Sequence, residues 1–285
     1  MNSTPADPLK LYRHCRLCPH GCGVDRTAGE TGFCGVGHRL LAASYGPHFG
    51  EEPVLVGRGG SGTVFLAGCN LVCIFCQNHD ISHHAAGRVL AATSLADVFL
   101  ELQRRGCVNL NLVTPTHFTP GLLEALGSAR ERGFNLPVVY NCGGYESAET
   151  LRILTGQVDV YLPDAKYGPA APADELSGAA DYFPRLLDAL VEMEEQVGSL
   201  EIANGVAVRG LIIRHLVLPG ELADSLGLLE RLAAILRPGH RLNVMGQYRP
   251  RYRANELHGL NRRPTRAEVA QVRRRALELG FSLSG

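Results

Sequence analysis

From residue 63 onward the chain alternates between two hydrophobic periods. Short apolar runs rich in β-branched residues, at 63–67, 108–114, 137–141, 158–162, 206–218 and 242–245, read as strands. The stretches between them repeat apolar residues three and four apart and read as helices with one buried face. Ser94-Leu-Ala-Asp97 looks like a capping box, opening a helix that runs to Arg105 and stops at Gly106. A second helix starts near Thr119-Pro120, with Pro at the favoured first position, and ends at Gly133. Further helices are expected at 147–154, 182–197 and 222–236. A last one is opened by the capping box Thr265-Arg-Ala-Glu268 and ended by Gly280. Gly210 inside the long fifth run suggests a bulge.

Six strand–helix units imply an α/β fold with a parallel sheet and helices outside it. Such sheets and barrels put their chemistry at the carboxyl ends of the strands. The polar residues cluster there: Thr114-Pro-Thr-His117, Asn141-Cys-Gly-Gly-Tyr-Glu146, Asp164-Ala-Lys166, Arg214-His215 and Gly246-Gln-Tyr. Ahead of the units, 53–56, the reversal Gly57-Arg-Gly-Gly-Ser-Gly62 and 63–67 read as a hairpin. The glycine run lacks the order of a phosphate loop and opens no helix. Residues 1–50 form a cysteine-rich segment with a loose polar arm at 1–9, and 51–285 carry the sheet.

Composition narrows the classes. Apolar residues make up 45% of the 285, and 28 basic residues balance 28 acidic ones. No bulk field favours nucleic acid or an anionic membrane. The arginines from Arg249 to Arg275 are the local exception, read as a solvated helix face plus loop, with an anionic partner site as the alternative. Without a secretory apolar core or a run approaching the ~20 residues of a membrane span, a cytoplasmic protein is expected. Its nine cysteines then point to metal rather than disulfides. Cys107 and Cys142 stand alone and read as buried.

The other cysteines fall in two groups. Cys69, Cys73 and Cys76 are spaced C-x3-C-x2-C directly after a strand. Three thiolates on a strand-tip loop can bind three irons of a four-iron cluster and leave the fourth open, the mark of a catalytic metal. The bland reading is a three-Cys zinc site completed by His79, His83 or His84. Cys15, Cys18, Cys22 and Cys34, spaced C-x2-C-x3-C-x11-C among glycines, suit a closed four-ligand site. Zinc and a second, fully ligated iron–sulfur cluster both fit. His14, His20 and His38 are spare donors that four cysteines make unnecessary.

The triplet with Phe75 before its last cysteine resembles the radical S-adenosylmethionine (SAM) superfamily. Longer stretches are similar to the pyruvate formate-lyase activating enzyme group, most of all its PflX-type branch: Cys-Arg-Leu-Cys-Pro-His-Gly-Cys (15–22), Gly-Cys-Asn-Leu-Val-Cys-Ile-Phe-Cys-Gln-Asn (68–78), Tyr-Asn-Cys-Gly-Gly-Tyr-Glu (140–146), Tyr-Leu-Pro-Asp-Ala-Lys-Tyr (161–167) and Met-Gly-Gln-Tyr-Arg-Pro (245–250). The resemblance implies a partial (β/α)6 TIM-type barrel and a [4Fe–4S] cluster on Cys69, Cys73 and Cys76, with S-adenosyl-L-methionine on the open iron. It implies Phe75 against the adenine, Asp164 and Lys166 as the fourth-strand Asp-x-Lys element, and Arg214 near SAM. Asn78, Thr114, Asn141 and Gln247 complete the implied cofactor contacts. Two departures stand out: Thr114-Pro-Thr116 replaces a Gly-Gly-Glu element, and Gln247-Tyr248 stands where a His is usual.

The implied reaction is reductive cleavage of SAM to a 5′-deoxyadenosyl radical for hydrogen abstraction. A flavodoxin- or ferredoxin-type donor would supply the electron, and a glycyl radical enzyme would be the partner. The alternatives are a radical SAM enzyme acting on a small molecule or another macromolecule, and a non-enzymatic zinc or iron–sulfur module. Residue by residue, the bland readings are a strand-end ion pair for Asp164 and Lys166, a turn former for Asn141 and a carboxylate partner for Arg214. His117 and His215 read as satisfied buried histidines.

Overall fold

Among the described residues ten strands pair into one sheet: β1 (Leu40–His48), β2 (Ser61–Leu66), β3 (Arg88–Leu90), β4 (Leu110–Val113), β5 (Val138–Cys142), β6 (Val160–Pro163), β7 (Glu201–Ala203), β8 (Val206–Leu216), β9 (Arg241–Met245) and β10 (Ser282–Leu283). This computed structural model describes residues 9–284, so the arm expected at 1–9 lies, Leu9 apart, outside the described residues. The order across the sheet is β10-β9-β8-β6-β5-β4-β2-β1-β3, with β7 on β8. All neighbours from β2 to β10 run parallel, while β1, β3 and β7 pair antiparallel. The parallel strands follow chain order without a reversal, so their carboxyl tips share one edge. The sheet does not close on itself, since β3 and β10 end it.

Alternation along the strands sorts the core into two faces. Leu110, Leu112, Val138, Tyr140, Tyr161, Leu211 and Ile213 are buried under the helices, against Leu95, Phe99 and Leu102 of Ala92–Arg104, Leu122 and Leu126 of Thr119–Glu131, Leu186, Leu190 and Met193 of Tyr182–Val197, and Leu228 and Leu232 of Ser225–Ile235. Val139, Val160, Leu162 and Ile212 face the other way and pack around Leu55. Among the described residues no helix is long and apolar enough to cross a membrane.

Leu55 belongs to the segment that differs most from expectation. Residues Pro53–Val56 form one helical turn, not a strand. Pro53 sits where the missing N–H costs nothing. The apolar run is too short for its period to separate helix from strand, and its burial comes from outside the run. The antiparallel partner of β2 is instead β1, which lies before residue 51. The turn fills the inner face of the sheet, with Asn109 Nδ2 donating to Leu55 O at 2.8 Å.

The helix after β3 begins at Ala92, not at Ser94, and its N-cap Ala91 makes no side-chain bond. Ser94 therefore lies inside the first turn, and the expected capping box is not used. The helix expected from Leu222 begins at Ser225, after a separate turn at Pro219–Glu221, and the remaining starts hold. Ser147 accepts from Thr150 N, and Thr265 and Glu268 cap each other reciprocally. The register shift next to Gly210 falls between Glu201 and Ile202, opposite Arg209 and Ala207. Gly210 itself, at φ 122°, is needed for close approach, because a Cβ there would lie 2.5 Å from Leu200 Cα.

Two glycines give opposite expectations. A Cβ on Gly59 would fall 1.8 Å from Gly106 O. Gly59→Ala is therefore expected to destabilise by about 3 kcal/mol or to prevent folding. Gly127, exposed within Thr119–Glu131, meets nothing within 4 Å. Gly127→Ala should stabilise by about 1 kcal/mol. Urea unfolding of the two variants measures both.

Candidate functional site

The site starts from register. Asn141 of β5 pairs with Leu162 of β6, two residues before Asp164, and Asp164 bridges to Arg214 of β8. All three side chains therefore rise from the inner face, each two residues beyond an apolar one on its own strand, Val139, Leu162 and Ile212. Arg214 Nε donates to Asp164 Oδ1 at 2.8 Å and Nη2 donates to Asn141 Oδ1 at 2.6 Å. Lys166 Nζ donates to Asp164 Oδ2 at 2.7 Å. Beneath them Glu51, just ahead of the Pro53–Val56 turn, approaches Arg214 Nη1 at 3.4 Å, and Glu52 accepts from Asn243 Nδ2 at 3.1 Å. Burial works to raise the Asp164 carboxyl, but Arg214 and Lys166 outweigh it and hold the group below its ordinary range. Burial opposes the charge on Lys166, and Asp164 with the Cys73 sulfur more than restores it.

The cysteine loop leaves β2 through Gly68, at φ 81°, where a Cβ would meet Cys34 O and Val36 Cγ1 at 2.9 Å each. Asn70, fully buried, ties the loop down by donating to Tyr145 O at 2.5 Å. Val72 N and Ile74 N donate to Ser177 O and Leu176 O, both at 3.0 Å. The sulfurs find polar company. Leu71 N donates to Cys69 Sγ at 3.4 Å, Ser177 Oγ donates to Cys73 Sγ at 3.0 Å, and Ser82 Oγ lies 3.2 Å from Cys76 Sγ. Burial pushes the Cys69 thiol far above its ordinary range, with Cys73 adding to the effect.

One cavity of about 280 Å³ gathers these pieces at the strand tips. Cys69, Cys73 and Cys76 line it together with Phe75, Asn78, Thr114, Asn141, Asp164, Lys166, Arg214 and Gln247. Every residue that the sequence singled out for the triplet and its cofactor thus meets at one place. In this arrangement Asp164 and Lys166 do form the strand-end ion pair, and Arg214 does pair with carboxylates. Phe75 is buried edge-on to Tyr248, whereas Asn78 and Gln247 sit at the exposed rim. Leu71, Val113, Leu216 and Met245 supply apolar lining.

Among the described residues no three His, Cys, Asp or Glu side chains converge as a group able to hold a single ion. A lone tetrahedral metal requires such convergence. A cuboidal cluster, whose thiolates each take a different iron, does not. His79 and His83 pack around the Tyr252 ring, at 4.7 and 4.8 Å.

Thr114 departs from ordinary backbone. Its φ is 57°, a strained conformation for a β-branched residue, and its N–H donates to Asn141 O at 2.8 Å. The strain falls at the cavity wall, where the resemblance lacks its usual Gly-Gly-Glu element.

The four N-terminal cysteines occupy a glycine-rich fold of their own. Cys15 N donates to Val24 O at 3.0 Å and Gly23 N to Cys15 O at 2.9 Å, which brings Cys15 beside Cys22. Gly21 N donates to Cys18 O and Gly35 N to Gly32 O, each at 3.0 Å, closing turns at Cys18 and Cys34. Phe33 N donates to Cys22 Sγ at 3.3 Å, and a Cβ on Gly32 would lie 3.0 Å from that sulfur. Backbone N–H directed at sulfur and bare backbone beside it suit a bound thiolate. His20 is engaged elsewhere, on Asn70 O at 3.0 Å and stacked on Phe33 at 3.6 Å.

His117 and His215 are buried and partnered. His117 Nε2 meets Ala67 O at 2.9 Å, and His215 meets Ala165 O and Ser225 Oγ at 2.6 and 2.8 Å. Burial lowers them to about 3 and about 4. Cys107 and Cys142 are buried. The arginine-rich end pairs with its own acids, in Arg253–Glu256, Arg262–Glu268 and Arg275–Glu230.

Sequence reasoning missed Glu51, Ser82 and Ser177, and it placed Glu146 among the strand-tip polar residues without a role. The acidic pair before Pro53 was the one visible signal among these. Glu146 is buried and accepts from Thr116 Oγ1 at 2.8 Å and Tyr140 OH at 3.1 Å. Burial raises its carboxyl to about 8, although both hydroxyls pull it down.

These features define a mostly parallel α/β protein with a cysteine-rimmed cavity at its strand tips. No family model matches the chain. It is 33% identical over 277 residues to the uncharacterized protein MJ0674 of Methanocaldococcus jannaschii, covering 94% of this chain and 75% of that protein. It is 24% identical over 228 residues to a second uncharacterized protein of that organism, MJ0808, covering 72% of this chain and 60% of that protein. The chain belongs to the family of MJ0674.

Asp164→Asn leaves Arg214 and Lys166 short of their shared partner and should cost about 3 kcal/mol in urea unfolding. Glu146 gives a pH signature of the opposite kind. Its folded carboxyl holds a proton up to about 8, whereas in the unfolded chain it releases it near 4.5. The folded state binds more protons in that window, so stability falls as pH rises from 4.5 to 8, by about 5 kcal/mol. Glu146→Gln should flatten that slope in unfolding measured across the window.

Proposed function

We propose that this chain is a radical SAM enzyme. In this reading Cys69, Cys73 and Cys76 hold a [4Fe–4S] cluster, S-adenosyl-L-methionine completes its open iron, and the sequential parallel sheet is a partial (β/α)6 barrel around them. The observation that carries the reading is the convergence of the three cysteines and the eight other implied residues on one cavity. That cavity opens where parallel α/β sheets place their chemistry. Bound together, the cluster and SAM supply a 5′-deoxyadenosyl radical for hydrogen abstraction.

The residues divide the remaining work. Hydrogen bonds from Leu71 N to Cys69 and from Ser177 to Cys73 favour the thiolate form of each sulfur. Phe75 offers a flat apolar face for the adenine. Lys166 and Arg214 set positive charge beside the methionine carboxylate, and Asp164 orders both cations. Asn141 gives its oxygen to Arg214 and keeps its amide hydrogens to donate. Leu71, Val113, Leu216 and Met245 exclude water from a site where a radical must meet one chosen C–H bond. The N-terminal cysteines would hold a second cluster, or zinc if their four sulfurs draw together on binding it, and a flavodoxin- or ferredoxin-type donor delivers the electron. Two acceptors fit this chemistry, a backbone glycine of a partner enzyme and a small molecule.

Anaerobically reconstituted protein given SAM and dithionite is expected to form 5′-deoxyadenosine. A Cys69→Ala, Cys73→Ala, Cys76→Ala variant should form none while keeping its N-terminal metal. No product from protein with the triplet cluster loaded would overturn the reading and leave a metal-binding module. A glycyl radical signal in the EPR spectrum of a co-expressed partner separates the two acceptors.

A further inference from the structure

The hydrogen bonds to the sulfurs of the cysteine loop are unequal. Cys69 Sγ accepts from a backbone amide, and Cys76 Sγ lies beside Ser82 Oγ in a pair where either atom can donate. Cys73 Sγ stands at the end of a buried chain of hydroxyls. Ser177 Oγ donates to it at 3.0 Å, and Tyr167 OH bonds Ser177 Oγ in turn. The Cys73 sulfur is also within hydrogen-bonding reach of Tyr167 OH itself. Tyr167 and Ser177 are fully buried, and among the described residues their hydroxyls have no partners but each other and Cys73.

Backbone holds this chain in place. Ala165 N donates to Arg214 O at 2.7 Å and Gly168 N to Ala223 O at 2.8 Å, one on each side of Tyr167. The Tyr182 ring stands edge-on to Tyr167 at 5.0 Å. Ser177 ends the short turn Ala173–Ser177, which Gly178 closes at φ 67°. Val72 N and Ile74 N, the amides flanking Cys73, stitch that turn to the cysteine loop. A Cβ on Gly178 would lie 2.8 Å from Val72 Cγ2, so turn and loop pack without a gap.

The order of protons follows from this geometry. A cysteine sulfur bound to iron carries no proton and can only accept. If Ser177 gives its one proton to the sulfur, its oxygen takes the proton of Tyr167. If Ser177 gives it to Tyr167 instead, the phenol gives its own to the sulfur. Either order aims a hydroxyl at Cys73, and in a buried chain each bond polarises the next. Hydrogen bonds to sulfur are one of the levers that set a cluster's potential. They favour the added negative charge of the reduced state, and so raise that potential.

We infer that Ser177 and Tyr167 set the reduction potential of the cluster held by Cys69, Cys73 and Cys76, with Tyr167 as a positioning residue behind Ser177. This deepens the radical SAM reading and rests on it. The cluster must accept an electron from its donor and then release it to the sulfonium of SAM. Hydroxyls aimed at Cys73 ease the first transfer and restrain the second.

The test is a redox titration followed by EPR on the whole chain, reconstituted anaerobically, reading the cluster whose signal changes when SAM is added. The parent is compared with Ser177→Ala, Tyr167→Phe and the double variant. The double variant is expected to shift the reduction equilibrium about tenfold toward the oxidised cluster, a potential lower by about 59 mV for one electron. Each single variant should lower it by less, and the two single shifts should not sum to the double one, because the hydroxyls act as a unit. Residues that only fill space would change unfolding stability and leave the potential where it was. Potentials equal to the parent's in all three variants overturn the inference and leave the radical reading standing. If the double variant loses its cluster, the two single variants decide in the same way. A parent that forms no SAM-responsive cluster overturns the reading, and the inference with it.

Discussion

Strand register is the constraint on which the rest depends. Asn141, Asp164 and Arg214 reach the cavity because each lies an even number of residues from the apolar side chains below it. A slip of one residue would turn them under the helices and bring Cys142, Ala165 and His215 inward. The layer of Val139, Val160, Leu162 and Ile212 around Leu55 holds that register, since a slip would also expose their apolar area to the wrong face. The hydrophobic layer thus does electrostatic work. It fixes two cations and a carboxylate at hydrogen-bonding distance, in surroundings where a misplaced charge is expensive.

Much of this was legible because local chemistry and global packing agreed. Tyr182–Val197 carries a clear helical period and forms over the expected residues. Thr265 and Glu268 cap each other as their spacing implied. The strand tips were legible as well, since polar residues after apolar runs in a parallel sheet have one common edge to occupy. Pro53–Val56 was not. Four apolar residues carry no period, and what decides their conformation is the empty interior they fill, which no local pattern reveals. Ser94 misled for the opposite reason: its side chain suits a cap, but the helix begins two residues earlier. Ser177 meets the cysteine loop through tertiary approach alone, and nothing in its neighbours' identities marks it.

The two cysteine groups are not separate appendages. Gly68, next to Cys69, has no room for a side chain because Cys34 O and Val36 lie against it. His20, between Cys18 and Cys22, bonds Asn70 O. A continuous line of contacts runs from Cys15 to Arg26, from Arg26 to His117 O, and from the His117 ring to Ala67 O at the start of the cysteine loop. His117, held neutral by burial, can serve there as a fixed donor without adding charge. The two groups of sulfurs therefore share one stretch of packed backbone.

The margins of the sheet carry a further consequence. Its last strands, β3 and β10, span only Arg88–Leu90 and Ser282–Leu283. Open strands expose unsatisfied amides that can recruit another chain, and brevity is one protection against this. Rims this short give a foreign strand little to zip onto, so a sheet that never closes into a ring can still resist end-to-end polymerisation.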